Sequence, residues 1–123
     1  MIEDIKKFEF WFGNPFCGIK KMLIIFGENF SVHSNGHNKK NNLIETEILK
    51  KINDIEFNKW ADEYMVKKPN FDNSWTITLT YSDKQVIYRG VDAYPTDWEK
   101  VLEIAEEYGG FDIEKDFGGD YDE

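Results

Sequence analysis

The segment Ser74–Tyr81 reads Ser-Trp-Thr-Ile-Thr-Leu-Thr-Tyr and alternates large apolar residues with serine and threonine. Such alternation is typical of a β-strand that has one buried and one exposed face. Ser82–Lys84 supplies turn-forming residues, and Gln85–Arg89 then alternates again. The sequence therefore predicts a β-hairpin in this region.

Three more strands are predicted nearer the N-terminus, at Lys6–Phe12, Ile19–Phe26 and Phe30–His33. In the first, alternate phenylalanines fall on one face and Trp11 falls on the other. Short turn sequences between the strands favour an antiparallel three-stranded meander. Together with the hairpin, it predicts an antiparallel sheet of about five strands.

Helical spacing appears between these two β regions. Ile44, Ile48 and Ile52 recur at intervals of four residues, whereas the aromatic set within Phe57–Tyr64 is out of phase with them. We therefore expect two short helices separated by a break near Asn53–Asp54.

A last helix is predicted after the hairpin. Thr96 and Glu99 have the spacing of a capping box, the apolar spacing runs to Tyr108, and Gly109–Gly110 then ends the helix. The predicted fold is a single α+β domain over residues 1–110, with helices packed on one face of the sheet, followed by an acidic C-terminal tail at 111–123.

The negative charge of the chain is concentrated in its second half. Residues 1–68 hold eleven Lys and ten Asp or Glu (+1), whereas residues 69–123 hold three Lys and one Arg against fourteen Asp or Glu (−10). This balance argues against nucleic-acid binding and favours a protein partner with a basic surface. The chain has one cysteine and no apolar run of membrane-spanning length, so we expect no membrane insertion and a cytoplasmic location.

The acidic half supplies the candidate partner-binding residues, because carboxylates steer a protein onto a basic surface. Trp11 joins them as a large apolar residue on the face of its strand opposite the phenylalanines. The candidate residues are Asp112, Glu114, Asp116, Asp120, Asp122, Glu103, Glu107 and Trp11. We therefore expect a non-enzymatic acidic binding protein without a cofactor, such as a toxin-immunity protein or an anti-defence inhibitor.

Two other functions stay open at this point. A small-ligand binder or enzyme would use Trp11, His33 and Arg89 in a pocket between sheet and helices. A structural module would self-associate, as a homodimer, through the aromatic face that no helix covers or through an edge strand.

Two sets of residues resemble metal ligands, and neither is expected to bind a metal. Asp112, Glu114, Asp116, Asp120 and Glu123 match the ligand spacing of a calcium-binding loop. The position that needs glycine in such a loop is Phe117, so a solvated acidic tail is the simpler expectation. A zinc site would combine Cys17, His33 and His37, but the two histidines are four residues apart in a strand–loop segment rather than on a helix.

Several residues between 57 and 105 carry a resemblance to known sequences. They are Trp60-x3-Tyr64, Trp75-x-Ile77 and Gly90-x3-Tyr94-Pro95-x2-Trp98. This pattern resembles an uncharacterised family of small hypothetical proteins from low-G+C bacteria, which usually have Gly and Asn at the positions of Asn73 and Asp92. The resemblance supports the fold and implies no activity. We expect Gly90 to permit an unusual backbone turn, and Trp98 to bury the joint between hairpin and helix.

Overall fold

The computed structural model describes residues 5–14, 18–35, 44–65 and 73–112. These residues form an α+β fold with a six-stranded sheet and two α-helices. The elements are β1 (Ile5–Asn14), β2 (Gly18–Ile25), β3 (Ser31–Ser34), α1 (Glu45–Asn53), β4 (Glu63–Met65), β5 (Ser74–Tyr81), β6 (Gln85–Val91) and α2 (Trp98–Gly109).

The sheet has the strand order β3-β2-β1-β5-β6-β4. β1, β2 and β3 form the predicted antiparallel meander, and β5 and β6 form the predicted hairpin. β5 also pairs with β1 in antiparallel register, with Phe10 opposite Ile77. The meander and the hairpin therefore join edge to edge into one sheet.

The sheet is mixed rather than antiparallel, because the sixth strand β4 pairs in parallel with β6. The prediction of a second helix over Phe57–Tyr64 was wrong. Only a single 3-10 turn forms at Phe57–Lys59, and an extended segment follows it. Tyr64 packs inward on Trp60 and Trp75, with ring centroids 6.5 and 6.1 Å apart. The aromatic spacing of this segment also suits a helix, but here a turn and a short strand that pack on the hairpin bury the same residues.

The core lies between one face of the sheet and the two helices. Phe8, Phe10 and Phe12 are fully buried, and the ring of Trp98 from α2 lies 6.1 Å from both Phe10 and Phe12. α1 contributes Ile48 and ends at Asn53, which confirms the predicted break. The helices are therefore packed on one face of the sheet, as the sequence predicted.

The start of α2 differs from the predicted capping box. The N-cap residue is Asp97, which has a φ of 70°, and no side-chain hydrogen bond caps this end. Thr96 lies one position too early to act as the cap. The other end follows the prediction, because Gly110 adopts a φ of 74° that glycine tolerates well and ends the helix.

Gly90 does not make the unusual turn that we expected, since it lies inside β6 and is not among the described glycines with positive φ. Its lack of a side chain is needed for another reason. A Cβ atom built on Gly90 would lie 2.6 Å from Cε2 and 2.7 Å from Cζ2 of Trp75. The backbone of β6 thus packs directly on the indole ring.

Candidate functional site: the open face of the sheet

The face of the sheet opposite the helices is the candidate site, and we call it the open face. Its side chains alternate with the core residues along each strand. The residues of this face include Lys7, Glu9, Trp11, Ile19, Lys21, Leu23, His33, Glu63, Met65, Thr76, Thr78, Ile87 and Arg89. All of them are half-buried or exposed in the described structure. This face is therefore available for contact with another molecule.

The strand register arranges these residues in rows. One row crosses five strands in the order Lys21, Trp11, Thr76, Arg89 and Glu63. A parallel row beside it runs through His33, Leu23, Glu9, Thr78 and Ile87. The two rows place apolar, cationic and anionic groups side by side.

Trp11 is the most informative residue of the open face. It is 46% exposed, whereas Trp60, Trp75 and Trp98, the other three tryptophans of the chain, are at most 8% exposed. Lys21 Nζ lies 4.5 Å from the Trp11 ring centroid and forms a cation–π contact with it. Beside this pair lies an open depression of about 450 Å³, whose lining includes Leu23 and His33.

Other large apolar residues gather on the same face. Ile19, Met65 and Ile87 are 49%, 59% and 38% exposed. Among the described residues, Trp11, these three and Ile44 are all the large apolar side chains that are exposed, and only Ile44 lies off the open face. A concentration of exposed apolar side chains on one face, rimmed by polar groups, is typical of a protein-interaction surface.

The open face is not acidic, in contrast to the whole chain. Its charged residues are Lys7, Lys21 and Arg89 against Glu9 and Glu63, a balance of +1 when the net charge of the chain is −9. Within the described part of the chain, the side chains of Arg89 and Glu9 form no ion pair with each other or with a third group. These charges therefore stay available for a partner.

The predicted ligand pocket is found only in part. Trp11 and His33 line the same depression, and His33 Nε2 lies 3.0 Å from the hydroxyl of Ser31. Arg89 lies two strands from Trp11, about 10 Å between backbones, and does not line the depression. The depression is on the open face and not between sheet and helices, where the pocket was expected.

The predicted acidic residues have different environments. Lys51 Nζ on α1 donates a hydrogen bond to Glu107 Oε2 and lies 3.7 Å from Glu103 Oε1, so these carboxylates bridge the two helices. Asp112 is exposed. Glu114, Asp116, Asp120 and Asp122, and with them the calcium-loop pattern, lie outside the described residues.

One acidic feature was only partly recognised in the sequence, where Glu103 was a candidate residue and Glu99 and Glu106 were not. Glu99, Glu103 and Glu106 are all exposed on α2 and follow each other at intervals of four and three residues. That spacing places the three carboxylates in one stripe on the outer side of the helix. The spacing is visible in the sequence once the helix is assigned.

The helix-bridging lysine provides a test of these contacts. The hydrogen bond to Glu107 is the main cause that raises the pKa of Lys51 from 10.5 to about 12. A raised pKa stabilises the fold fully below 10.5, and this contribution is lost as the pH rises through about 12. Lys51→Met is expected to cost no more than about 1 kcal/mol at pH 7, because the ammonium is partly exposed.

The measurement is urea unfolding of both proteins at pH 7, pH 10 and pH 12. The difference in unfolding free energy should be constant between pH 7 and pH 10 and shrink by pH 12. A difference that grows at alkaline pH would contradict the assignment of this contact.

No metal site is evident in the described segments, where no three His, Cys, Asp or Glu side chains are grouped suitably for metal binding. Cys17 and His37, the other members of the zinc set, lie outside them. Neither described helix is long and apolar enough to cross a membrane.

The residues behind the sequence resemblance form one aromatic cluster. Trp75 contacts Trp60 and Trp98, with centroids 6.0 and 4.9 Å apart, and Tyr94 lies 5.0 Å from Trp98.

Asn73 and Asp92, the two positions at which this chain departs from the pattern it resembles, contact each other. The backbone N–H of Asn73 donates a hydrogen bond to Asp92 Oδ1, and the backbone N–H of Asp92 donates one to the backbone carbonyl of Asn73, both at 3.0 Å. Asp92 has a φ of 55°, a conformation that Asn and Asp tolerate better than most residues.

The aromatic cluster is part of the core. The residues of the resemblance are therefore explained by their packing where the hairpin meets α2. Comparison with known proteins identified no matching family model, no similar curated protein and no similar solved structure.

Proposed function

We propose that this protein is a protein-binding domain and that the open face is its principal binding surface. The exposure of Trp11 beside Lys21 and the depression is the observation that carries the proposal. Tryptophan is enriched among the residues that dominate binding energy, especially where other apolar groups surround it and exclude water. Ile19 and Leu23 provide such neighbours, since each lines a depression together with Trp11.

The charges of the open face suit protein recognition as well. Arg89 on β6 and Glu9 on β1 are separated by β5, and neither has an ion-pair partner within the described residues. Groups of this kind fix the orientation of a partner that carries complementary charges. A face that combines an exposed tryptophan, other apolar side chains and charged groups has the usual composition of a binding interface.

The test is the recovery of partner protein from the source cells with three tagged versions of the chain: wild type, Trp11→Glu and Ile44→Glu. Ile44 is 52% exposed and lies off the open face, so its variant is a matched control for adding a carboxylate at an exposed apolar position. We expect wild type and Ile44→Glu to recover the same protein, and Trp11→Glu to recover at least tenfold less. Equal recovery by all three versions would contradict the proposal.

A second candidate function is supported by the stripe of Glu99, Glu103 and Glu106. These carboxylates would bind a basic partner, as an immunity protein or an inhibitor of a basic active site would. The stripe lies on the helix side of the molecule, away from the open face, and Glu103 also contacts Lys51. The cytoplasmic location expected from the sequence stays a prediction for either function.

This second function predicts binding that falls as salt rises and that depends on the three charges. Replacing all three glutamates by glutamine should weaken association with the basic partner by at least tenfold. The control is Glu28→Gln, Glu47→Gln and Asp83→Asn, which removes the same charge from exposed sites elsewhere. If the two triple variants bind equally well, the stripe is not the binding surface.

A further inference from the structure

The open face has a charge pattern that discriminates between classes of partner. Its balance of +1 leaves −10 for the rest of a chain whose net charge is −9. A strongly acidic partner surface would find few cations on this face, and a strongly basic one would be drawn to the acidic residues elsewhere on the chain. The open face therefore suits a partner surface that is itself mixed and close to neutral.

We infer that the partner is a second copy of this chain, bound open face to open face around a two-fold axis; this inference rests on the proposed function. A two-fold contact uses the same patch on both copies, so a patch must be complementary to itself. The open face meets this condition because Glu9 lies between Lys7 on its own strand and Lys21 on the neighbouring strand, so that Glu9 of one copy can face a cation of the other. The described acidic residues on the helix side, among them Glu99, Glu103 and Glu106, then point away from the other copy.

The area of the open face agrees with such a dimer. β2 and β5 are eight residues long, and four central strands about 4.8 Å apart with a rise of about 3.3 Å per residue cover roughly 500 Å². Two copies would bury about 1,000 Å², which is the lower limit for a specific protein interface. The dimer is therefore expected to be reversible, with a dissociation constant on the order of tens of micromolar.

Trp11 also provides a probe of this contact. The other three tryptophans are buried, so quenching of fluorescence by the neutral molecule acrylamide reports mainly on Trp11. Face-to-face packing would cover Trp11, whereas association through the helices or the sheet edges would leave it accessible. The variant Trp11→Phe identifies the part of the quenching that belongs to Trp11.

The experiment combines sedimentation velocity with acrylamide quenching of the purified full chain between about 5 and 500 µM. We expect the mass to rise from 14.6 kDa toward twice that value as Trp11 becomes protected. Trp11→Glu should stay monomeric over the range, and Ile44→Glu should dimerise as wild type does. Urea unfolding of both variants verifies that they are folded.

Two results would overturn the inference. One is a monomer at every concentration with Trp11 equally quenched throughout, and the other is a dimer in which Trp11 stays accessible. After either result, the proposed function still holds if Trp11→Glu recovers less of a different protein partner than wild type does. If the recovery experiment shows no dependence on Trp11 but the dimer forms with Trp11 protected, the open face serves self-association alone.

Discussion

Replacing Gly90 by alanine is expected to destabilise the fold by about 3 kcal/mol. The new Cβ atom would overlap the Trp75 ring, with Cε2 only 2.6 Å away. The ring cannot move aside easily, because its Nε1 donates a 2.8 Å hydrogen bond to the Ala93 carbonyl and it packs against Trp98. Relief of the overlap therefore requires either the loss of that hydrogen bond or a shift of β6.

The measurement is urea unfolding, with Gly18→Ala as the control. Gly18 has a φ of 86°, and no described atom lies within 4 Å of the position that its Cβ would take, so this variant tests backbone strain without overlap. We expect the control to cost about 1 kcal/mol. If Gly90→Ala costs no more than Gly18→Ala, the direct packing of β6 on Trp75 is wrong.

Replacing Trp98 by alanine is expected to cost about 4 kcal/mol, a large part of the stability of a domain of this size. Trp98 is 3% exposed and joins α2 to the sheet through Phe10, Phe12, Trp75 and Tyr94. Alanine would leave a cavity at the point where these rings meet. Loss of the joint would loosen α2 as a whole.

Replacing each tryptophan by phenylalanine keeps most of the side-chain volume but removes the indole N–H, so these variants measure the contribution of its hydrogen bond. The Trp98 indole N–H has no hydrogen-bond partner among the described residues, whereas that of Trp75 binds the Ala93 carbonyl. Trp98→Phe should therefore cost less than Trp75→Phe by about 1 kcal/mol. Urea unfolding of all three variants would contradict this account if Trp98→Ala cost less than about 1 kcal/mol, or if Trp98→Phe were the more harmful of the two phenylalanine variants.

The regular strands could be predicted from the sequence because their signal is local. Ser74–Tyr81 alternates without interruption, and its hairpin partner follows after a short turn. The same holds for the meander and for the end of α2, where glycine adopts the conformation that ends a helix. In each case neighbouring residues carry the information that determines the structure.

Other features depend on contacts between distant residues. β4 is only three residues long, and it forms because Tyr64 packs on Trp75 and the backbone pairs with β6. Neither contact is visible in the local sequence, whose aromatic spacing favours a helix. The capping box does not form because Asp97 takes the N-cap position, and its Oδ2 accepts a 3.4 Å hydrogen bond from the backbone N–H of the distant residue Glu56.

The candidate site could likewise be predicted from the sequence only in part. Alternation in β1 placed Trp11 opposite the phenylalanines, but both faces carry aromatic side chains, so the sequence could not tell which face is buried. The neighbours of Trp11 on the open face depend on the pairing of β1 with β5, which are about sixty residues apart in the chain. Ile87 and Arg89 reach the same face only through that pairing.

Site-specific photo-crosslinking in the source cells tests the central claim most directly. A photoreactive amino acid at Thr78 lies in the middle of the open face, between Glu9 and Ile87, and the same amino acid at exposed Thr46 on α1 is the control. The open face as a binding surface predicts a protein adduct from Thr78 and none from Thr46. Adducts from Thr46 alone, or from neither position, would contradict it.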